Sequence, residues 1–252
     1  MILDGRHALV TGGSRGIGAA IAAALAGAGA RVSVLGRDRA ALDAVAARAG
    51  GIAVTADVTD GMALEAAIAE AEAGVGPVDI LVNSAGAAET AKFTASDDDL
   101  WERMIALNLI GVVLATRRVL PGMLERGWGR VISVASTAGL KGYAYASAYS
   151  AAKHGVIGLT RSLALETARS GVTVNAVCPG YTDTDLVRDS VARLAQRTGK
   201  PAEALVAEMV AGNPQRRLIE PEEVARTVVW LADPASGAMT GQAIAVAGGE
   251  IM

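Results

Sequence analysis

Seven short β-branched runs alternate with longer alanine-rich stretches along this chain, and that alternation limits the folds open to it more than any other feature. His7 to Thr11, Arg31 to Leu35, Ile52 to Ala56, Val78 to Val82, Arg130 to Ala135, Val172 to Cys178 and Ala243 to Val246 read as strands, most of them flanked by glycine or a polar turn residue. Ile17 to Ala28, Ala40 to Ala49, Met62 to Ala73, Leu100 to Glu125, Ser147 to Ser170 and Pro221 to Ala232 have the length and propensity of helices. Nearly continuous apolar strands separated by helices are the habit of a parallel sheet covered on both faces. The expectation is an α/β fold, a doubly wound three-layer sandwich around a seven-stranded parallel sheet. Residues 1–252 read as one domain, with an insertion at about 181–217 that breaks the alternation before the last βα unit and is placed to cover a site.

Composition excludes several classes. With 52% hydrophobic and 19% charged residues the chain carries enough apolar surface for a full core, so disorder is excluded. A net charge of -3 offers nothing to a polyanion, which disfavours nucleic acid. Apolar runs are read as broken before the roughly 20 residues a membrane span needs, and the N-terminus runs straight into a strand instead of a signal peptide. The expectation is a soluble, cytoplasmic protein. Cys178 is the sole cysteine, which rules out an internal disulfide, and with only His7 and His154 beside it no Cys/His metal cluster can be assembled. No metal site is expected.

Thr11-Gly12-Gly13-Ser14-Arg15-Gly16-Ile17-Gly18 joins the first strand to the first helix. Glycine there permits a tight turn and lets phosphate oxygens approach backbone N–H groups, and the helix start favours the anion. The spacing is T-G-x-x-x-G-x-G, a variant of the more common G-x-G-x-x-G fingerprint. With the strand pattern it points to a Rossmann-like sheet that binds a dinucleotide. The second strand ends Leu35-Gly36-Arg37, with no acidic residue at Gly36; Arg37 and Arg15 can reach a ribose 2′-phosphate, so NADP(H) is preferred. Asp38 is the rival feature: it caps the next helix, or it turns to the ribose and leaves NAD(H) open.

Tyr149 is followed four residues later by Lys153 and preceded by Ser136, a set suited to proton transfer at a carbonyl oxygen. Four residues is about one helical turn, so the ammonium shares a face with the phenol. A neighbouring cation is expected to lower the phenol pKa from its usual ~10. Ser136 supplies a neutral hydroxyl to hold the substrate oxygen. Other residues read more plainly: His154 as a packing residue, Cys178 as a small strand hydrophobe, and Asp97, Asp98 and Asp99 as a helix N-terminus.

Together these motifs resemble the classical short-chain dehydrogenase/reductase family over essentially the whole chain. The resemblance extends to Asp57 before Val58 at the adenine pocket, Asn83-Ser84-Ala85-Gly86 for the family's N-N-A-G, Asn108 mid-helix, and Pro179-Gly180 after the sixth strand. Ser84 replaces the usual second asparagine. The resemblance implies a cofactor held by Gly12, Ser14, Arg15, Gly16, Ile17, Gly18, Arg37, Asp57, Val58, Asn83, Ala85, Gly86, Tyr149, Lys153, Pro179, Gly180, Thr182 and Thr184. It also implies a catalytic set of Asn108, Ser136, Tyr149 and Lys153, with Tyr149 giving its proton to the developing alkoxide and Asn108 positioning a water that refills it through Lys153.

In wording the chain looks most like bacterial 3-oxoacyl-thioester and polyketide-type ketoreductases. The implied reaction is NADPH-dependent reduction of a 3-oxoacyl thioester or similar ketone. Lys141, Arg188, Arg193, Arg216 and Arg217 are available to meet thioester phosphates, or are ordinary solvated charges. Two alternatives stay open: an NAD(P)+-dependent dehydrogenase of a hydroxyacyl-CoA, cyclic alcohol or sugar, and a dinucleotide-binding regulator without turnover. The family implies a homotetramer, or a homodimer, through the long helices and the C-terminal tail.

Overall fold

Ala8, Leu9 and Val10 in the first strand are all fully buried, yet they belong to different cores. Ala8 and Val10 pack with Ile21, Leu25, Val34 and Val228, whereas Leu9 packs with Leu35, Val54, Leu64 and Ile68. Because successive side chains point to opposite faces, a strand apolar throughout must be covered on both sides. The computed structural model describes residues 1–251, Leu186 in its backbone alone.

The strands are β1 (His7–Thr11), β2 (Arg31–Gly36), β3 (Ile52–Thr55), β4 (Ile80–Asn83), β5 (Gly129–Val134), β6 (Val172–Pro179) and β7 (Ala243–Val246). They form one parallel sheet in the order β3-β2-β1-β4-β5-β6-β7. This is the seven-stranded, doubly wound Rossmann-like arrangement expected from the sequence. The order reverses between β1 and β4, which opens a crevice at their carboxyl ends.

Helices α1 (Gly16–Gly27), α2 (Arg39–Ala49), α3 (Gly61–Val75), α4 (Asp98–Ile105), α5 (Gly111–Arg126), α6 (Ser147–Thr167), α7 (Asp185–Thr198), α8 (Ala202–Met209) and α9 (Pro221–Ala232) complete the chain. The α1 and α9 pair covers one face, and α3 with α5 the other. Capping follows the sequence: Asp38 Oδ1 accepts from Ala41 N–H at the start of α2, and Asp97 Oδ1 from Leu100 N–H at the start of α4.

Two expectations need correction. The helix read as Leu100 to Glu125 is two α-helices joined by a π turn over Ala106–Ile110. The insertion, whose inner structure the sequence left open, holds α7 and α8 and is tied down by a bridge between Thr182 and Ile219. The second correction concerns apolar runs: Asp98–Arg126 is long and apolar enough by composition to cross a membrane, although Met104, Val112, Ala115, Val119 and Met123 on it are buried within the protein.

His7 is fully buried at the start of β1. Its Nδ1 lies 2.6 Å from the Gly76 carbonyl, to which it donates, and its Nε2 2.8 Å from Ser33 Oγ. Burial lowers its pKa below 6.5, against the weaker opposing pull of the Gly76 carbonyl. The unfolded chain therefore binds a proton that the folded one refuses, and stability falls as pH drops below 6.5. Urea unfolding of wild type and His7→Asn between neutral and mildly acidic pH should show a smaller slope in the variant; equal slopes would assign the acid sensitivity elsewhere.

Candidate active site

The glycine turn is built so that side chains cannot enter it. A Cβ on Gly12 would stand 2.7 Å from the backbone of Ala85, and one on Gly18 would stand 2.2 Å from the Gly12 carbonyl. Gly12 and Gly16 also hold positive φ values of 65° and 54°. The turn is thereby pressed against the end of β4. Thr11 Oγ1 fastens that contact by accepting from Ser84 N–H (3.1 Å) and Ala85 N–H (3.2 Å). Sequence reading gave Thr11 no such role. The contacts come from residues far along the chain, so no local pattern announces them.

Around this turn the structure gathers most of the expected cofactor residues. Gly16 faces Thr184, whose methyl would lie 3.2 Å from an added Cβ. Thr184 stands at the α7 N-cap, but its hydroxyl turns back toward the Thr182 carbonyl instead of capping. Buried Thr182 donates to the Gly180 carbonyl at 3.0 Å. Val58 is buried against Gly111, and Ile17 packs on the core under the turn. Ser14 and Arg15 stand on the outer side of the turn, with Arg15 exposed.

The acidic rim follows one of the two readings open for Asp38. Asp38 is engaged as a helix cap, while Arg37 lies 3.5 Å from Asp57, a pair at the mouth of the β2 and β3 ends. Asp57 is held below the usual carboxylate range chiefly by Thr59 N–H, with Arg37 a smaller contributor. Arg37 is 78% exposed, so the pair is weak and the guanidinium remains available.

Ser136 ends the β5 connection with an extended backbone. Its Oγ accepts from Ala138 N–H at 3.0 Å, which leaves the hydroxyl proton free to point elsewhere. Burial of Tyr149, on the first turn of α6, works against its ionisation more than the Ser136 proton within its reach works for it. The Tyr149 pKa is accordingly raised above 10, not lowered. This corrects the expectation from spacing: Lys153 Nζ lies 5.7 Å from the phenol ring centroid and donates to the Val134 carbonyl at 2.9 Å. One helical turn brings the two onto one face, but the ammonium is drawn down to the sheet.

Lys153 is itself buried, and burial lowers its pKa to about 8. Among the described residues its ammonium donates only to Val134 O, so two of its three protons have no acceptor. A ribose diol fits that need, and the cradle of Gly12, Gly16 and Gly18 fits a diphosphate; the residues present therefore suit a dinucleotide. Asn83 is less suited: its side chain is buried at the end of β4, with Nδ2 toward Thr116 and Ser133 and Oδ1 without a partner.

Asn108 lies fully buried inside the π turn. Its Nδ2 donates to Ala87 O (2.9 Å) and Met104 O (3.1 Å), and its Oδ1 accepts from Ala87 N–H (3.3 Å). Gly86 is required beside it, since a Cβ there would meet Oδ1 at 2.8 Å. The wide turn aims this amide at the Gly86–Ala87 segment, and such turns recur at functional sites. Two minor residues differ from or match their reading: His154 is exposed, its Nδ1 2.9 Å from Ser150 O, and not packed, whereas Cys178 is a fully buried strand residue.

A crevice at the reversal of a doubly wound sheet, with a side-chain-free turn at one end and a phenol, a hydroxyl and a buried ammonium at the other, defines a dinucleotide-dependent oxidoreductase. The short chain dehydrogenase family model matches residues 6–195. The chain belongs to the short-chain dehydrogenase/reductase family. It is 44% identical over 248 residues to an acetoacetyl-CoA reductase of Shinella zoogloeoides, covering 97% of this chain and 98% of that protein. It is 42% identical over 246 residues to a D-beta-hydroxybutyrate dehydrogenase of Cupriavidus necator, covering 95% of each. Among solved structures it superposes on an actinorhodin polyketide ketoreductase variant crystallised with NADPH, with a TM-score of 0.93, 40% identity and 97% of both chains covered.

Proposed function

We propose that this protein reduces the ketone of a 3-oxoacyl thioester to a secondary alcohol, with NADPH as the hydride source and Tyr149 as the proton donor. The observation that carries this reading is the Tyr149 phenol, kept protonated by burial beside a hydroxyl whose own proton is free. NADPH, when bound, supplies the hydride. The ketone oxygen sits between Tyr149 and Ser136; Tyr149 gives up its proton as negative charge develops, and Ser136 hydrogen-bonds the same oxygen. Lys153, charged below about pH 8, supports that charge and binds the nicotinamide ribose. Asn108 has spent both Nδ2 protons, so a water that refills the proton is held by the remaining lone pair of its Oδ1.

Arg15 and Arg37 favour NADPH. Both are exposed at the mouth of the site, Asp38 is engaged as a cap, and the Asp57 carboxylate is engaged with Thr59 and only weakly with Arg37. The names of the relatives support the substrate class, and they also support a hydroxyacid dehydrogenase running in the oxidative direction. The decisive assay is steady-state oxidation of NADPH, with NADH in parallel, on acetoacetyl-CoA and on simple ketones. NADPH-dependent turnover of the thioester is expected, with reductive kcat/KM level across neutral pH and falling as Lys153 deprotonates near pH 8. Oxidation of 3-hydroxybutyrate without ketone reduction would replace this reading with the dehydrogenase.

A further inference from the structure

The segment between Ser136 and Tyr149 contains one cationic side chain, Lys141, and it is not free. Its Nζ lies 3.0 Å from Oε1 of Glu250, a carboxylate only 6% exposed, whereas the Lys141 side chain is 39% exposed. The same Oε1 accepts from the Tyr143 hydroxyl, which in turn lies 2.7 Å from Oγ1 of Thr137, the neighbour of Ser136. A Cβ on Gly180 would stand 3.1 Å from Oε2 of Glu250, and the Tyr181 ring meets Tyr143 edge to face at 6.5 Å between centroids. Glu250 therefore sits where the catalytic loop, the start of the 181–217 insertion and the C-terminal tail converge. Its backbone is aimed inward by Gly248 and Gly249, both at positive φ and packed against Asn213 and Pro214.

We infer that Glu250 masks the positive charge of Lys141, making the acyl side of the site electrically neutral and selecting 3-oxoacyl thioesters, whose C1 carbonyl is neutral, over free 3-oxo acids. The inference rests on the proposed ketone reduction and deepens it. In acetoacetate the carboxylate is separated from the ketone carbon by a single methylene, so with the ketone held by Ser136 and Tyr149 we place it on the side where Thr137 and Tyr143 lead to Glu250. A thioester places a neutral carbonyl there. An unmasked ammonium there would attract the carboxylate, moderated by water because the Lys141 side chain is 39% exposed. The paired Lys141 sums to zero with Glu250 and offers no such attraction. Burial keeps the Tyr143 phenol protonated, so it adds no charge.

The test compares kcat/KM for acetoacetate and for methyl acetoacetate, which is similar in shape but uncharged, in wild type, Glu250→Gln and the Lys141→Gln/Glu250→Gln pair. The acetoacetate-to-ester ratio should rise about tenfold in Glu250→Gln, the order of one modest charge interaction, and return in the double variant. A ratio unmoved by Glu250→Gln, or a gain that survives loss of Lys141, would overturn the inference. Should Glu250→Gln not fold, Lys141→Gln alone leaves the carboxylate unmasked, and the ratio should drop below that of wild type; an unchanged or higher ratio overturns the idea. If wild type reduces neither compound, the same tenfold criterion is applied to their dissociation constants measured by NMR titration; only if acetoacetyl-CoA is not reduced either does the ketoreductase reading fail.

Discussion

Tyr149→Phe lowers kcat/KM for ketone reduction by about 10²–10⁴-fold, the size of a lost general acid, while NADPH affinity stays within a few-fold. The phenylalanine ring fills the same half-buried space, so the variant removes one hydroxyl and little packing. Two of the other three phenols are engaged elsewhere, and Tyr145 is 59% exposed. Tyr143 is spent between Thr137 and Glu250, and Tyr181 is turned edge-on to Tyr143. Steady-state rates with acetoacetyl-CoA, together with a fluorescence titration of NADPH, separate the two effects. Reduction at near wild-type rate would remove Tyr149 from the chemistry and point to solvent as the proton source.

Lys153→Met is expected to abolish useful turnover yet make the protein more stable. The sign follows from the buried ammonium. Its folded pKa of about 8 lies below the unfolded value of 10.5, so the unfolded chain binds more protons between those values and stability rises with pH across that window. Below about pH 8 the penalty is complete, and the shift corresponds to roughly 3 kcal/mol as an upper bound. Methionine removes the charge and keeps the length, at the cost of the Val134 hydrogen bond. A net gain of about 1–2 kcal/mol at neutral pH is expected, since a lost hydrogen bond returns about 1 kcal/mol. Urea midpoints at neutral pH and near pH 10 check this: the variant should lead at neutral pH and the lead should shrink at the higher pH. A destabilised variant with an unchanged pH slope would show that the ammonium is better solvated than its burial implies.

Much of the fold was legible because the signals were local. Strand positions, the glycine turn and the caps Asp38 and Asp97 follow from residues within a few positions of one another. The candidate catalytic cluster was legible for a different reason: Ser136, Tyr149 and Lys153 keep family spacing, so resemblance supplied the proximity that propensity cannot. What escaped depends on through-space partners. The π turn at Asn108 looks like ordinary helix in sequence, because Ala106, Leu107 and Leu109 have helical propensity and nothing local marks the wider turn. The direction of the Tyr149 pKa was misjudged because spacing places Lys153 on the right face but cannot show that the Val134 carbonyl draws its ammonium away. Lys141 read as an available cation until Glu250, 109 positions further on, was found against it. The remaining cations differ from one another: Arg188 is paired to Asp183 and Asp185, and Arg217 to Glu223.

The π turn also sets a rotational phase. Each residue of an α-helix advances about 100° around the axis, so one extra residue accommodated in a wide turn offsets everything before it from everything after it by roughly that angle. Here α4 is phased to pack on α6 while α5 is phased to pack on α3 and β5. A uniform helix through 98–126 would present one of those two segments rotated by about that angle to its partners. The bulge therefore lets a single rod serve two differently oriented neighbours, and Asn108 occupies the joint where the two phases meet.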